Sequence, residues 1–213
     1  MKIAIFSDIH DHTAALKAVL DNAQTRGVNT YFCLGDVGID ACVELVKVAG
    51  AATVFGNWEV SGWRTLTKEN RQWALALPPM LKRDDFWLTH AAPFWSPKIK
   101  SLANLTANRQ LHTSHKLFPY LHYDEDSLWK SIAMLTDLGV PLMFHGHTHR
   151  QIAWYFTGNN HLQRTVKDTV TIHPGDTLIV GVGSVGLPVD GPGASYVIFD
   201  DEAQTVEMVR VEM

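Results

Sequence analysis

The first 57 residues alternate short apolar runs with amphipathic segments, and this alternation constrains the fold more than any other feature of the chain. Apolar runs of strand length cover residues 2–6, 30–34 and 52–55. Between them, apolar side chains recur every three or four residues over 15–23 and 41–48, which predicts two amphipathic helices. A strand–helix–strand–helix–strand order requires right-handed crossovers and therefore a parallel sheet with helices on its face.

The rest of the chain departs from this alternation. With 213 residues, 46% of them hydrophobic, we expect a single domain over 1–213 with a partly helical cap or lid insert around 91–125. Within it we predict helices over 58–77 and 127–138, strands over 86–89 and 142–144, a hairpin of strands 151–156 and 162–166, and final strands over 178–182, 196–199 and 206–211.

Composition and charge exclude several classes of protein. The 22 acidic and 18 basic residues give a net charge of −4, which disfavours a nucleic-acid polymer as partner. The longest stretches without charged side chains have 13 residues, too few to span a membrane. Cys33 and Cys42 are the only cysteines, which excludes a disulfide framework and a cysteine-based zinc site. Asp8 interrupts the first apolar run too early for a signal peptide, so we expect a cytoplasmic protein. The sequence predicts no oligomeric state.

Potential metal ligands directly follow five of the predicted strands. Because ligands of open α/β sheets bind beyond the carboxyl ends of the strands, side chains spread over 142 positions are expected to meet in one crevice. We expect Asp8 and His10, and likewise His147 and His149, to lie on extended backbone, where residues two apart point the same way. Carboxylate, amide and imidazole ligands suit Mn²⁺, Fe²⁺, Ni²⁺ or Zn²⁺ better than Mg²⁺. The full set is Asp8, His10, Asp36, Asn57, His90, His147 and His149.

Taken singly, most of these residues have an ordinary structural explanation. A Gly-Asp or Gly-Asn pair is usually a turn, and a single histidine is usually exposed or hydrogen-bonded in a core. The two imidazoles of His147-Thr148-His149, directly after an apolar run, have few structural uses. The ordered combination of all seven residues is what predicts a metal site.

These strings resemble the calcineurin-like metallophosphoesterase superfamily, and within it the small bacterial and archaeal phosphodiesterases or diadenosine tetraphosphatase-like members. The resemblance implies an α/β fold, a four-layer α/β/β/α sandwich with two mixed β-sheets. It also implies two divalent transition-metal ions, with Mn²⁺ favoured over Fe, Ni or Zn. The resemblance is carried by Ser7-Asp8-Ile9-His10, Gly35-Asp36, Gly56-Asn57, His90, Gly146-His147-Thr148-His149 and the loop 183–188.

Carried over position by position, the resemblance divides the ligands between two ions. Asp36 bridges the ions, and a hydroxide between them is the implied nucleophile. One ion takes Asp8, His10, Asp36 and His149, and the other takes Asp36, Asn57, His90 and His147.

One string departs from the family pattern. Relatives often read Gly-Asn-His followed by an acidic residue, and that histidine lies near the leaving group, whereas this chain reads Gly56-Asn57-Trp58-Glu59. Three alternatives follow: another histidine supplies the proton, water supplies it to substrates with good leaving groups, or hydrolysis is slow. The indole of Trp58 either occupies the place of the missing acid or is packed in the core. The candidate proton donors are His12, His112, His115 and His122.

Two histidines outside the ligand set are assigned to the active site. His12 is expected near the metals if its loop is tight, and its alternative is an exposed residue at a helix start. His145 is expected to orient a ligand or a phosphate, and its alternative is a buried residue at a strand end.

The resemblance implies a hydrolase of phosphoester or phosphoanhydride bonds that acts on a small molecule. The string after Gly35-Asp36 lacks the Arg-Gly of the protein phosphatases, which disfavours a phosphoprotein substrate. Aromatic side chains over 86–129 either form a small hydrophobic core beneath a cap or stack on a base, and stacking would favour a nucleotide-type phosphodiester or a dinucleoside polyphosphate. The alternative is a non-catalytic scaffold that binds a protein partner, but such a scaffold predicts gaps in the ligand set, and all seven residues are present.

Overall fold

The computed structural model describes residues 1–107, 117–159 and 161–212. These ranges contain six α-helices, one 3₁₀ turn and twelve strands. The helices are α1 (Thr13–Thr25), α2 (Asp40–Val48), α3 (Asn57–Gly62), α4 (Lys68–Ala76), α5 (Leu102–Ala107) and α6 (Glu125–Asp137), and the 3₁₀ turn is Trp63–Thr65. The strands are β1 (Lys2–Phe6), β2 (Thr30–Cys33), β3 (Ala52–Thr53), β4 (Met80–Lys82), β5 (Trp87–Thr89), β6 (Leu142–His145), β7 (Gln151–Phe156), β8 (Leu162–Thr165), β9 (Thr169–Thr171), β10 (Thr177–Val182), β11 (Ala194–Asp200) and β12 (Thr205–Val211).

The strands form two six-stranded mixed sheets. The first sheet has the order β3-β2-β1-β11-β12-β9, and the second has the order β4-β5-β6-β10-β7-β8. In the first sheet β1 runs parallel to β2 and antiparallel to β11. In the second sheet β6 runs parallel to both β5 and β10. The parallel sheet predicted from the first three strands is confirmed as β1, β2 and β3 of the first sheet, and antiparallel strands extend both sheets.

Three apolar interfaces separate four layers. Side chains alternate along β1, so that Ile3 and Ile5 face the second sheet while Ala4 and Phe6 face the helices. On the far side of the second sheet, α6 buries Leu128, Ile132 and Leu135 against it. Fully burying an apolar side chain of this size contributes about 1.5–3 kcal/mol, so the three interfaces are the main source of stability. The predicted α/β/β/α sandwich is confirmed.

Some predicted elements differ from the structure. The helix predicted over 58–77 is broken, because the Asp40 carboxylate accepts hydrogen bonds from the backbone N–H and the hydroxyl of Thr67 at 3.0 and 2.7 Å. These contacts from α2 hold the start of α4, and a 3₁₀ turn separates α4 from α3. Strands β4 and β9, of three residues each, were not predicted because such short segments carry little periodicity.

The described part of the predicted insert packs against the helical layer of the first sheet. Ile99, Leu102, Leu105 and Phe118 are buried in the same apolar cluster as α1 and α2. Residues 108–116 lie outside the described part of the chain, so the predicted cap or lid stays a prediction. Among the described residues, no helix is both long and apolar enough to cross a bilayer.

Candidate metal centre

Side chains from both sheets converge where the two sheets meet at the carboxyl ends of their parallel strands. On one side of this cluster, His10 Nε2 and His149 Nε2 lie 3.1 Å apart. Asp8 Oδ1 lies 3.2 Å from His149 Nε2 and 3.7 Å from His10 Nε2. Asp8, His10 and His149 therefore form a group of three side chains that can hold one cation.

A second group lies beside the first. His90 Nε2 is 3.5 Å from Asp36 Oδ2 and 3.0 Å from Asn57 Oδ1. The ring of His147 lies against that of His90, with 5.1 Å between the ring centroids. All seven predicted ligand residues are thus brought together. Asp8 lies near both groups, because its Oδ1 atom is also 3.9 Å from His90 Nε2. The division into two ligand sets stays a prediction.

Asp36 lies between the two groups. Its Oδ2 atom is 3.7 Å from His10 Nε2 on one side and 3.5 Å from His90 Nε2 on the other. Its Oδ1 atom accepts a hydrogen bond from the backbone N–H of Trp58 at 2.7 Å, which fixes the carboxylate. Asp36 is therefore within reach of both groups, as Asp8 also is, and its bridging role stays a prediction.

Backbone carbonyls orient the histidines so that the Nε2 atoms face the cluster. His149 Nδ1 donates to Leu187 O at 2.8 Å, and His90 Nδ1 donates to Leu34 O at 2.7 Å. A carbonyl can only accept, so Nδ1 carries the proton and the Nε2 lone pair remains free for a cation. The loop 183–188 also supports Asp8, because the hydroxyl of Ser184 donates to Asp8 O at 2.8 Å.

Five of the ligands are held in left-handed backbone conformations. Asp8, His10, Asp36, His147 and His149 have φ between 46° and 63°. The expectation that Asp8 with His10, and His147 with His149, lie on extended backbone is therefore wrong. A left-handed residue other than glycine costs about 1–2 kcal/mol, and such strain concentrates at functional sites. Tight turns, rather than strand geometry, aim these side chains at the cluster.

Glycines beside the ligands allow the loops to approach closely. A Cβ on Gly56 would lie 2.8 Å from His90 Cε1 and would also overlap the carboxylate of Asp36. A Cβ on Gly146 would lie 2.7 Å from Asp8 Oδ2. Any larger side chain at these positions would push ligands apart.

Glu59, for which no role was predicted, holds the loops that carry Asp36 and Asn57 in place. Its carboxylate is buried and accepts hydrogen bonds from the backbone N–H groups of Asp36, Val37 and Gly56 at 2.9, 2.8 and 2.7 Å. The signal in the sequence is its place three residues after Gly56, where a glutamate reaches back to the start of a helix.

The pKa values of Asp8 and Asp36 are shifted in opposite directions. Burial disfavours ionisation of Asp8, but His90, His10 and His149 outweigh it and hold the pKa of Asp8 well below its usual range. Burial, assisted by the charge of Asp8, raises the pKa of Asp36. Adjacent negative charges repel each other, and this repulsion is what a cation at the cluster would relieve.

The imidazoles also fall into two classes. Burial works against the charged form of His10 and His149, but hydrogen bonding to Asp8 outweighs it, so the pKa of each is raised. Burial, followed by the charge of His90, lowers the pKa of His147 to about 3. His147 is thus neutral at pH 7, the state in which imidazole binds a metal.

The two histidines assigned beyond the ligand set lie in different surroundings. His12 is exposed at the start of α1 and lies beside Gly186. His145 is fully buried, its ring lies 5.7 Å from that of Trp154, and burial lowers its pKa to about 4. Their catalytic roles stay predictions. Of the other candidate donors, His122 is partly buried near the cluster, and His112 and His115 lie outside the described residues.

The indole of Trp58 packs within its own helix. A Cβ on Gly62 would lie 2.8 Å from two of its ring carbons, and the ring packs against the helical apolar cluster. This placement favours the alternative in which Trp58 is a packing residue.

A cavity of about 650 Å³ opens beside the second group of ligands. Asn57 and His147 form its inner wall, and Phe118, Tyr120 and Tyr123 supply aromatic surface. The ring of Tyr120 stacks on that of His147 with 4.1 Å between centroids. A planar group bound here would lie within reach of the ligand cluster.

The donor set fits a pair of divalent cations. His147 Nε2 is buried without a hydrogen-bond partner in the described structure, although a buried polar atom is normally paired. Two carboxylates, one amide oxygen and four imidazoles are a ligand set for first-row transition metals. A cation bound between the two groups would supply the missing partner of His147 Nε2.

Comparison with known proteins agrees with this geometry. A family model described as the calcineurin-like phosphoesterase superfamily domain matches residues 1–204. A protein of uncharacterised function from Methanocaldococcus jannaschii is 30% identical over 223 residues, which cover 99% of this chain and 87% of that protein.

Solved structures share the fold along the whole chain. A metallophosphoesterase from Sphaerobacter thermophilus has a TM-score of 0.72 and 27% identity, with 100% of this chain and 89% of that chain covered. An archaeal phosphodiesterase has a TM-score of 0.57 and 18% identity, with 99% and 100% covered. The second similarity is one of fold alone.

Proposed function

The chain belongs to the calcineurin-like phosphoesterase superfamily and is a metal-dependent phosphoesterase, and on that premise we propose that it hydrolyses a small nucleotide-type phosphodiester or a dinucleoside polyphosphate. The observation that carries the proposal is the aromatic cavity of about 650 Å³ beside Asn57 and His147. Protein phosphatases act on extended polypeptides, whereas this cavity has the size of a small-molecule site.

The ligand residues define where the reacting phosphate lies. As the family resemblance implies, Asp8, His10, Asp36 and His149 would hold one cation, and Asp36, Asn57, His90 and His147 would hold the other. The grouping of Asp8 with His10 and His149, and the proximity of Asp36, Asn57 and His147 to His90, support this division. A pair of divalent cations supplies charge stabilisation to the phosphoryl oxygens and activates the attacking water. The chain's own contribution is to fix these donors, through Glu59 and the backbone carbonyls described above, so that little reorganisation is needed during the reaction.

The aromatic wall supports a base-bearing substrate. Tyr120 and Tyr123 line the cavity and are 49% and 75% exposed, although one face of each ring is covered, by His147 and by His122. Stacking of a base on an aromatic ring contributes about 1–3 kcal/mol. We propose that the base stacks on this wall while the phosphate to be cleaved lies at the cluster.

The test is a panel of assays on the manganese-loaded protein. It compares bis-p-nitrophenyl phosphate, p-nitrophenyl phosphate, diadenosine polyphosphates, cyclic nucleotides and a phosphopeptide. We expect the highest kcat/KM for a diester or a diadenosine polyphosphate. A phosphopeptide as the best substrate would contradict the proposal. A protein that binds no transition metal and hydrolyses nothing would support the scaffold alternative.

A pair of variants tests the aromatic wall. Tyr123→Ala should raise KM for diadenosine polyphosphates roughly tenfold and leave kcat near that of the wild type, because it removes stacking and no ligand. The matched control is Trp129→Ala, which removes a 45% exposed aromatic ring that packs on Phe156, outside the cavity. If both variants raise KM equally, the base does not stack on Tyr123.

A further inference from the structure

A smaller cavity of about 240 Å³ adjoins the metal centre. Two ligands, His147 and His149, line it, and so do Thr148 and Arg150. It shares Tyr120 and Tyr123 with the larger cavity, so one substrate can reach both. A group bound in the smaller cavity would lie directly beside a phosphate held at the cluster.

The lining of this cavity contains polar atoms that lack partners. Thr148 Oγ1, His122 Nδ1 and Arg150 Nε are buried, and none has a hydrogen-bond partner within the described ranges. Thr148 is only 4% exposed, so solvent does not satisfy its hydroxyl. Native proteins rarely leave such atoms unpaired, and three around one cavity indicate a bound polar group.

The surroundings of the cavity carry excess positive charge. In the described parts of the chain, no carboxylate lies within 4 Å of the guanidinium of Arg150 or of Arg164. Two acids directly follow lining residues, and both are already engaged. Asp124 accepts a hydrogen bond from the backbone N–H of Ser127 at 2.9 Å, and Asp190 is engaged by Arg210 at 2.6 Å and by the backbone N–H of Gln151 at 2.7 Å. Burial, followed by the charges of Arg150 and Arg164, lowers the pKa of His122. The bound group is therefore expected to be an anion.

We propose that this anion pocket, formed by His122, Thr148 and Arg150 beside His147 and His149, binds a second phosphate group of the substrate. The inference rests on the proposed function, because it places that phosphate next to the one being cleaved. Arg150 is partly exposed, so its guanidinium supplies the hydrogen-bond donors, and charge-assisted bonds from guanidinium to phosphate are among the strongest in proteins. The pocket selects substrates with two adjacent phosphates, such as dinucleoside polyphosphates, over simple diesters.

The test measures binding of two non-hydrolysable probes to the manganese-loaded protein by calorimetry. Methylphosphonate carries one phosphonate, which the metal centre binds, and methylenediphosphonate carries a second that reaches the anion pocket. The test variant is Arg150→Met, which removes the positive charge. A second variant, Arg150→Lys, keeps the charge but lacks the planar guanidinium that can donate two parallel hydrogen bonds to one phosphate. The matched control is Arg83→Met, because Arg83 is exposed beyond the opposite end of β5 and contacts Phe32.

We expect Arg150→Met to weaken methylenediphosphonate binding roughly tenfold or more, while the Kd of methylphosphonate changes less than about twofold. Arg150→Lys should recover part of the loss, and Arg83→Met should change neither Kd. Equal losses for both probes, or no loss for the diphosphonate, would overturn the proposal. A wild-type protein without hydrolytic activity would count against the proposed function. The anion pocket is tested separately, because the titrations measure binding and not activity.

Discussion

Replacement of Glu59 by glutamine tests whether one buried carboxylate holds the ligand loops together. The side-chain oxygen of the glutamine can keep the hydrogen bonds from the N–H groups of Asp36 and Gly56. Its NH₂ group then faces the N–H of Val37, and because both groups are donors, no hydrogen bond forms there. The two retained bonds lose their charge assistance, about 1 kcal/mol each, and the unpaired donor costs about 1–3 kcal/mol.

A favourable contribution offsets part of this loss. Burial, followed by the charge of Asp36, raises the pKa of Glu59, so removing its charge relieves repulsion. A relief of about 1–2 kcal/mol leaves a net destabilisation of about 1–4 kcal/mol for Glu59→Gln. Glu59→Ala should destabilise more, because it leaves all three backbone N–H groups without an acceptor.

The assay is urea unfolding followed by tryptophan fluorescence, in the presence of a chelator so that metal affinity does not contribute. The matched control is Glu69→Gln, whose side chain is 84% exposed and contacts only Lys47 in the described structure, and which should change stability by less than about 0.5 kcal/mol. Manganese affinity of Glu59→Gln should fall about 10–100-fold, as for other residues that orient metal ligands. A free energy of unfolding within about 1 kcal/mol of the wild type would refute the anchoring role.

Three further predictions concern the cluster. Asp36→Asn should lower kcat more than any other single ligand change, because Asp36 contacts both groups, and near-normal turnover with two metals bound would contradict the bridging position. Trp58→His should lower the free energy of unfolding by a few kcal/mol and change kcat/KM for good and poor leaving groups by one factor, since the indole packs on Gly62, whereas a selective gain for poor leaving groups would place it at the leaving group. Manganese affinity should fall as the pH is lowered, because the raised pKa values of Asp36, His10 and His149 let protons compete with the metal. Calorimetry in buffers of different ionisation enthalpy should show that metal binding releases protons, and a pH-independent affinity would contradict these pKa shifts.

The sequence predicted the site better than it predicted the local backbone. Each ligand follows a buried strand, and parallel strands bring their carboxyl ends to one edge, so convergence followed from order along the chain. The left-handed turns at Asp8 and Asp36 were not predicted, because φ above zero at a non-glycine residue has no strong signature in one sequence.

Residues that act through backbone groups were also missed. Glu59 and Asp40 bind N–H groups that are 22 to 27 positions away along the chain, and such partners are set by tertiary contacts that periodicity does not encode. The break between α3 and α4 is one result: the apolar pattern runs through it, and the contact of Asp40 with Thr67 decides where the second helix begins.

The division of the ligands between two sheets also governs when the metals can be acquired. Asp8, His10, Asp36 and Asn57 follow strands of the first sheet, whereas His90, His147 and His149 follow strands of the second. A growing chain therefore offers the second proposed set of donors only after residue 147 has emerged and the first only after residue 149, and both sets require that the sheets have docked. The folded site therefore selects the ion. A cation such as Cu²⁺, which binds the separate donors of an unfolded chain most tightly, is not captured preferentially during synthesis.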